Sequence, residues 1–197
     1  MKLGYLVPEF PGQTHVFFWR ELQALRRMGV EVTLLSTRRP LAEIVCHDWS
    51  VQAMAETHYL KPLDIRGVWA ALRMLLTAGP VRLGRCIRVA LTARDATWTQ
   101  QLLMLTLIPF AGYLAHLCRR HGLQHLHVHS CANAAMLAVY AHLLTDLAYS
   151  LTLHGELSTY GPAQSAKWRY AQFGTAVARH LEQQILQRVP ELNPDCI

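Results

Sequence analysis

The chain lacks the closely spaced cysteine pairs that hold small secreted domains together. Its five cysteines are scattered and form no CxxC motif: Cys46, Cys86, Cys118, Cys131 and Cys196. This pattern fits a reducing compartment better than a disulfide framework. The opening residues do not form a signal peptide, because their apolar run is short and the acidic Glu9 follows at once. We therefore expect a cytoplasmic protein.

Two phosphate-binding fingerprints are also absent. The chain contains no GxGxxG motif and no Walker lysine, so its sequence predicts neither dinucleotide nor P-loop binding. A long membrane span is not predicted either. The most apolar run, Leu102–Leu117, is shorter than the roughly 20 residues that a span needs. Because Pro109, Gly112 and His116 interrupt it, we expect a core or interfacial helix there.

The composition is that of a basic and rather apolar globular domain. Of the 197 residues, 52% are hydrophobic and 16% are charged, which suffices for one well-buried domain. The formal net charge of +6 indicates an anionic partner: a phosphate group, a nucleic acid or an anionic membrane surface.

Apolar periodicity predicts strands and helices that alternate along the chain. The predicted strands are Lys2–Val7, Val30–Ser36, Glu56–Leu60, Leu123–His129, Tyr149–Leu153 and Phe173–Ala178. The predicted helices are Val16–Met28, Ile65–Ala78, Val81–Ala93, Ala96–Arg120, Asn133–Leu144, Pro162–Ala171 and His180–Arg188. This order predicts a doubly wound α/β domain, with a mostly parallel sheet, helices on both faces and an inserted basic and apolar helical region.

The turn between the first strand and the first helix, residues 8–15, is a candidate anion site. Gly12 precedes the helix N-terminus, where backbone amides can approach a phosphate and the helix dipole favours an anion. An ordinary turn explains the same residues. We expect Thr14 to cap the helix and Gly29 to end it. The residues expected on its apolar face are Phe17, Leu22, Leu25 and Met28.

The end of the fifth predicted strand is a second candidate site. Ser150–Leu153 leads into the polar turn His154-Gly155-Glu156. Open α/β sheets bind ligands at the carboxyl ends of their strands, which makes His154 and Glu156 candidate site residues. A loop histidine with satisfied hydrogen bonds and a solvated glutamate explain the same turn.

Three histidines alternate with apolar residues in the fourth predicted strand. On a strand, His125, His127 and His129 share one face. Imidazoles at this spacing can chelate zinc or nickel, but no carboxylate or cysteine lies at a matching spacing in the sequence. We therefore expect packed or hydrogen-bonded histidines without a metal, with His129 facing a cleft.

A basic stretch between Lys61 and Arg94 contains only one acidic residue, Asp64. Its arginines alternate with apolar residues and Trp69, a pattern that suits an anionic bilayer surface. The candidate membrane-surface residues are Arg66, Arg73, Arg82, Arg85 and Arg88. A solvated helix face explains them equally well. Nucleic-acid binding is not predicted, because no recognition module is apparent.

Four segments together carry a resemblance that covers essentially the whole chain. They are Gly4–Val32, His125–Ala135, Ser150–Tyr160 and Ala176–Ala178 with the helix that follows. In combination they resemble the N-terminal domain of GT-B glycosyltransferases of family 4, in the branch of exopolysaccharide and colanic-acid-type biosynthesis. The resemblance implies a Rossmann-like domain that forms one half of a GT-B fold.

The resemblance also implies an activity and roles for individual residues. It implies retaining transfer of a sugar from a nucleotide sugar to a polysaccharide or lipid-linked acceptor at the inner membrane face, without a metal or other cofactor. His154 would lie near the donor sugar and its leaving phosphate, and Glu156 occupies the place of an acidic residue in relatives. The turn Gly12–Thr14, with Gln13, would face the donor diphosphate. His129 and Tyr160 are the candidate acceptor-binding residues.

The chain departs from this family near its end. Residues 1–189 correspond to the acceptor-side domain, and residues 190–197 to the start of the linker into a donor-binding domain. The E-x7-E pattern of that domain is absent, because Glu182 and Glu191 are one residue too far apart. We therefore expect transfer to need a separate C-terminal domain. The alternative is a non-enzymatic module that kept the fold and binds a membrane surface or a protein partner.

Overall fold

Six strands, all parallel, form one sheet in the computed structural model, which describes residues 1–197. The strands are β1 (Lys2–Glu9), β2 (Glu31–Arg38), β3 (His58–Tyr59), β4 (His125–Val128), β5 (Ala148–Leu153) and β6 (Phe173–Ala176). Their order across the sheet is β3-β2-β1-β4-β5-β6. The chain order therefore reverses between β1 and β4, which confirms the prediction of a doubly wound, Rossmann-like α/β fold.

Nine α-helices connect or flank these strands. The first five are α1 (Val16–Arg27), α2 (Ser50–Glu56), α3 (Ile65–Ala78), α4 (Pro80–Leu91) and α5 (Trp98–Leu105). The others are α6 (Ile108–Arg120), α7 (Asn133–Thr145), α8 (Gln164–Arg169) and α9 (Arg179–Arg188). Short 3-10 turns lie at Ala42–Ile44, Leu157–Tyr160 and Pro194–Cys196. Every predicted strand and helix has a counterpart, whereas α2 was not predicted.

The two faces of the sheet pack against different cores. Along β1, Leu6 points into a core of 38 buried residues, whereas Tyr5 and Val7 point into a core of 8. Neighbouring residues of a strand point to opposite faces, so helices pack on both sides of the sheet. The larger core contains the buried side of α7 and α6, and the smaller one contains the buried side of α1.

The buried face of α1 differs from the predicted one. Phe18, Trp19 and Leu22 are the buried residues, whereas Phe17 and Met28 are 45% and 79% exposed. Leu22 is buried as predicted and Leu25 packs against the smaller core, so the prediction was wrong only for Phe17 and Met28. The four consecutive apolar residues Val16–Trp19 fit two neighbouring helix faces, and packing selects between them. Thr14 is not the cap, since the helix begins after His15 without a side-chain capping bond. Gly29 ends the helix region with a φ of 80°, as predicted.

The predicted helix Ala96–Arg120 is two helices. α5 ends at Leu105, and α6 starts at Ile108 with Pro109 in its first turn. A proline ring collides with the carbonyl group four residues earlier in a continuous helix, which here belongs to Leu105. The break follows from that clash.

Residues Trp98–Arg120 together are long and apolar enough to cross a membrane by length and composition, and a window of 18 residues within them has a mean hydropathy of 1.5. Half of that window is buried inside the fold, and core helices of this kind pass the same test. The segment is therefore weak evidence for a membrane span.

Replacement of Gly174 should destabilise the domain. A Cβ at Gly174 in β6 would lie 2.3 Å from Cζ3 of Trp168, a ring that is fully buried. We expect Gly174→Ala to lower the free energy of unfolding by about 1–3 kcal/mol, the usual cost of overpacking. The matched control is Gly84→Ala in α4, where a Cβ meets nothing within 4 Å. Since alanine favours helix over glycine, the control should stabilise by about 1 kcal/mol. Urea unfolding measures both, and equal effects would contradict the packing argument.

Candidate functional site

The candidate site lies where the strand order reverses, at the carboxyl ends of β1, β4 and β5. β1 pairs with β4 in parallel, and β4 pairs with β5, so the turns that follow these strands meet at one edge of the sheet. Ligands of open α/β sheets bind in the crevice at this switch point. The backbone amide of His129 donates to the carbonyl of Leu6 at 3.0 Å, which fixes the end of β4 beside β1.

Two of the predicted site residues contact each other at this edge. Nδ1 of His129 lies 3.2 Å from Nε2 of His154, within hydrogen-bond distance, so that one ring donates and the other accepts. His129 is 4% exposed, so the prediction that it faces a cleft was wrong, whereas His154 is only partly buried. Nδ1 of His154, its second ring nitrogen, has no hydrogen-bond partner within the chain and is therefore free to bind a ligand.

Aromatic side chains surround the histidine pair. The His129 ring lies 4.3 Å from the ring of Tyr5 and 4.7 Å from that of Phe18, measured between ring centroids. The His154 ring lies 5.3 Å from Phe18 and 5.6 Å from Phe17. This environment excludes water and strengthens electrostatic interactions within the site.

The same environment keeps the histidines neutral. Burial, followed by the proximity of His127 and His154, lowers the pKa of His129 to about 2. Burial also lowers the pKa of His154, and nearby His15 lowers it further. The pKa of His15 is lowered by its own burial. At neutral pH each ring therefore carries one donor and one acceptor nitrogen.

The turn before α1 lies beside this pair, and its residues differ in how deeply they are buried. Gly12 is buried, and a Cβ there would lie 2.9 Å from Nδ1 of His15. Gln13 and Thr14 are exposed, and the carbonyl of Gln13 accepts a hydrogen bond from Nε2 of His47 at 2.8 Å. α1 has neither a side-chain cap nor an acidic residue in its first turn. Its amino end therefore offers backbone donors and a positive dipole to an anion.

Glu156 is not part of the histidine pair. Its carboxylate accepts a hydrogen bond from Nε2 of Gln184 at 2.5 Å and lies 3.3 Å from Nε2 of His180, both on α9. The hydroxyl of Tyr160 lies near Gly155, the residue between His154 and Glu156, since it would be 3.6 Å from a Cβ there. The structure thus brings His129 and His154 together and directs Glu156 away from them.

A polar cleft of about 710 Å³ opens on the Glu156 side. Among the side chains that line it are two carboxylates, four glutamine amides and one guanidinium: Asp95, Glu156, Gln100, Gln164, Gln184, Gln187 and Arg188. Only one lining residue is hydrophobic, so the cleft offers many hydrogen-bond partners and little apolar surface.

The remaining histidines of β4 are hydrogen-bonded along the sheet surface. The hydroxyl of Ser150 lies 2.7 Å from Nε2 of His125 and 2.7 Å from Nδ1 of His127. Nε2 of His127 lies 3.0 Å from the hydroxyl of Thr152, which also contacts that of Thr175 at 2.8 Å. This arrangement matches the expectation of packed or hydrogen-bonded histidines on one face.

Sequence reasoning missed two residues that lie against His129, namely Tyr5 and Glu21. Tyr5 packs on His129 and donates to Glu21 at 3.0 Å, and the Glu21 carboxylate lies 3.8 Å from Nε2 of His129. His15 packs against Phe18 with ring centroids 5.1 Å apart.

The five basic-stretch arginines fall into two groups. Arg66, Arg73, Arg85 and Arg88 are exposed on α3 and α4. Arg82 is partly buried, pairs with Asp146 and donates to the carbonyl of Leu143 at 3.5 Å. The exposed apolar residues of α3 lie on one helix face: Ile65, Val68, Trp69, Leu72 and Leu76.

The structure is a Rossmann-like α/β domain with a histidine pair at the point where its strand order reverses. No protein-family model matches this chain. No curated protein matches it either.

Mild acid should destabilise the protein through its buried histidines. In the unfolded chain histidine has a pKa of 6.5, whereas His127 and His129 have pKa values of about 4 and about 2 in the fold. Below pH 6.5 the histidines of the unfolded chain take up protons, whereas those of the folded chain do not. The free energy of unfolding is therefore highest above pH 6.5 and falls as the pH drops towards the pKa values of the folded state. We expect a loss of about 1 kcal/mol per pH unit for each histidine.

Urea unfolding between about pH 7 and pH 5, with a chelator present, measures this slope. His127→Gln removes one of the titrating groups and should flatten the slope. A free energy of unfolding that stays constant across the window would contradict the burial of neutral histidines.

Proposed function

We propose that this chain is the acceptor-side domain of a nucleotide-sugar-dependent glycosyltransferase with the GT-B architecture that its segments resemble. The observation that carries the proposal is the hydrogen-bonded pair of His129 and His154 at the switch-point crevice. It supports the proposal because a buried ring fixes the orientation of a second ring that faces the ligand-binding edge of the sheet. A donor-binding domain supplies the opposite wall of the crevice.

In this proposal His154 holds the transferred sugar. Its neutral ring accepts or donates one hydrogen bond to a sugar hydroxyl, while the other nitrogen remains on His129. A fixed sugar costs less entropy to bring into the reactive geometry, which is how positioning residues lower a barrier. His129 acts as a positioning residue because it orients His154 without reaching the crevice itself.

The amino end of α1 stabilises the leaving diphosphate. Negative charge develops on the phosphate oxygens as the glycosidic bond to the donor breaks, and backbone donors aimed at that charge lower the barrier. Gly12, Gln13 and Thr14 supply the turn, and the uncapped first turn of α1 supplies the dipole.

The polar cleft beside Glu156 binds the acceptor. Its amides, carboxylates and guanidinium pair with the hydroxyl groups of a glycan, and the Tyr160 hydroxyl lies near Gly155 in the turn that joins His154 to Glu156. Glu156 accordingly belongs to the acceptor cleft, since its contacts run to α9 rather than to His154.

His154→Ala should abolish most of the transfer activity. The assay joins this chain to the donor-binding domain of a family 4 enzyme and measures sugar transfer from that domain's nucleotide sugar. Loss of the positioning hydrogen bond should lower kcat by about 100-fold, the usual scale for one well-placed polar group. The control is His125→Ala, which lies on the same sheet face away from the edge. Equal rates for the wild type and His154→Ala would remove the proposed role.

A second candidate function is attachment to an anionic membrane surface. The observation that favours it is the apolar face of α3, where Trp69 is 64% exposed and Leu76 is 72% exposed, with the exposed Arg66 and Arg73 along one side of that face. An apolar stripe that enters the headgroup region, flanked by cations that meet lipid phosphates, is the pattern of interfacial helices. This function is compatible with the first, because a lipid-linked acceptor lies at such a surface.

Vesicle flotation tests this attachment. Since each arginine near an anionic surface contributes about 1 kcal/mol, replacement of four should weaken binding to phosphatidylglycerol vesicles by more than about tenfold. The variant carries Arg66→Gln, Arg73→Gln, Arg85→Gln and Arg88→Gln. The control carries glutamine at four exposed arginines elsewhere and has the same net charge: Arg20, Arg27, Arg39 and Arg179. Similar binding by both variants would show that the charge alone, and not this surface, governs attachment.

A further inference from the structure

Three metal-ligating side chains converge beneath the crevice. Glu21 from α1 and His127 and His129 from β4 each offer one ligand atom, and these atoms all lie within 4.8 Å of one another. A carboxylate that no sequence spacing indicated thus accompanies two of the three alternating histidines.

His129 carries an unexplained buried nitrogen. Its Nε2 has no hydrogen-bond partner, although the side chain is only 1% exposed. The Glu21 carboxylate oxygen lies 3.8 Å away, too far for a hydrogen bond. Buried polar atoms are almost always paired, so a nitrogen left without a partner and aimed at a carboxylate indicates an absent third group.

We propose that Glu21, His127 and His129 bind a divalent transition-metal ion of the zinc class. Two imidazoles and one carboxylate are a common zinc ligand set, which leaves a fourth position for water or another ligand. The Glu21 side chain is 44% exposed, so the ion can enter from solvent on that side. The proposal does not rest on the glycosyltransferase assignment.

The outer partners of the ligands fit a metal site. Metal-bound histidines and carboxylates are normally held by hydrogen bonds from a second layer of groups. The hydroxyl of Tyr5 donates to Oε2 of Glu21 at 3.0 Å, and the second nitrogen of His129 contacts His154 at 3.2 Å. Two of the three ligands are therefore already oriented by groups that would not touch the ion.

His127 can release a nitrogen at little cost. Each of its ring nitrogens contacts a hydroxyl, one of Ser150 and one of Thr152. If His127 turns away from one of these hydroxyls, that hydroxyl still has a second hydrogen-bond partner. Ser150 also contacts His125, and Thr152 also contacts Thr175. No buried hydroxyl is left unpaired when His127 turns one nitrogen to the ion.

The ligand atoms must contract to close around an ion. Zinc–ligand bonds of about 2 Å place tetrahedral ligand atoms about 3.3 Å apart, so the Glu21–His129 pair, at 3.8 Å, must approach by about half an ångström, and any pair at the 4.8 Å limit by about 1.5 Å. Glu21 can move its own carboxylate towards the ion, because it is the exposed member of the set. The bound ion would then join α1 to β4 at the edge that carries the histidine pair.

The test is metal binding by the tag-free chain after treatment with a chelator. Titration calorimetry with Zn²⁺ should show one site. Co²⁺, used as a spectroscopic substitute, should give the intense visible absorption of a four-coordinate ion. Glu21→Gln and His129→Gln should each weaken binding by about tenfold or more, because each removes a direct ligand. His125→Gln is the matched control and should bind as the wild type does.

Two results would overturn the proposal. One is the absence of saturable Zn²⁺ or Co²⁺ binding by the wild-type chain. The other is binding that Glu21→Gln leaves unchanged, which would place the ion elsewhere. Glu21→Gln keeps the size of an exposed side chain, so it remains informative even where His129→Gln disturbs folding, and urea unfolding of each variant verifies that it is folded.

Discussion

The parallel pairing of β1 with β4 is the constraint on which the rest of the molecule depends. It joins two halves of the chain across the inserted helices α3–α6, and it sets Tyr5 beside His127 in the sheet register. Because the strand order reverses there, the helices diverge to opposite faces and leave a crevice at the carboxyl edge. The histidine pair, the amino end of α1 and the Glu21 carboxylate all reach this edge through that one pairing.

The two faces of the sheet differ: one carries the larger apolar core, and the other carries the hydrogen-bonded histidines. The face that packs on α6 and α7 is apolar and contains most of the core, so it stabilises the domain. The opposite face carries the histidines of β4, Ser150 and Thr152, which are hydrogen-bonded to one another beside the smaller apolar core. Neutral imidazoles held in such a place cost stability in acid but remain available as ligands and hydrogen-bonding groups.

Local periodicity was enough to predict most of the elements. Strands such as Tyr149–Leu153 and helices such as Ile65–Ala78 were predicted within a few residues because their signals lie within one window of sequence. The failures occurred where packing chooses between local alternatives. In α1 the structure buries Phe18 rather than Phe17, and the helix predicted from Ala96 is interrupted just before Pro109.

By itself the sequence determined the α/β class, the shared face of the three β4 histidines and the position of His154 at a strand end. These depend on the two-residue period of a strand and on the order of the elements. Only the tertiary structure decided that His129 bonds to His154, that Glu156 turns to α9 and that Glu21 approaches His129. Those contacts join residues from different elements, and their distances follow from strand order and helix packing, which no local pattern encodes.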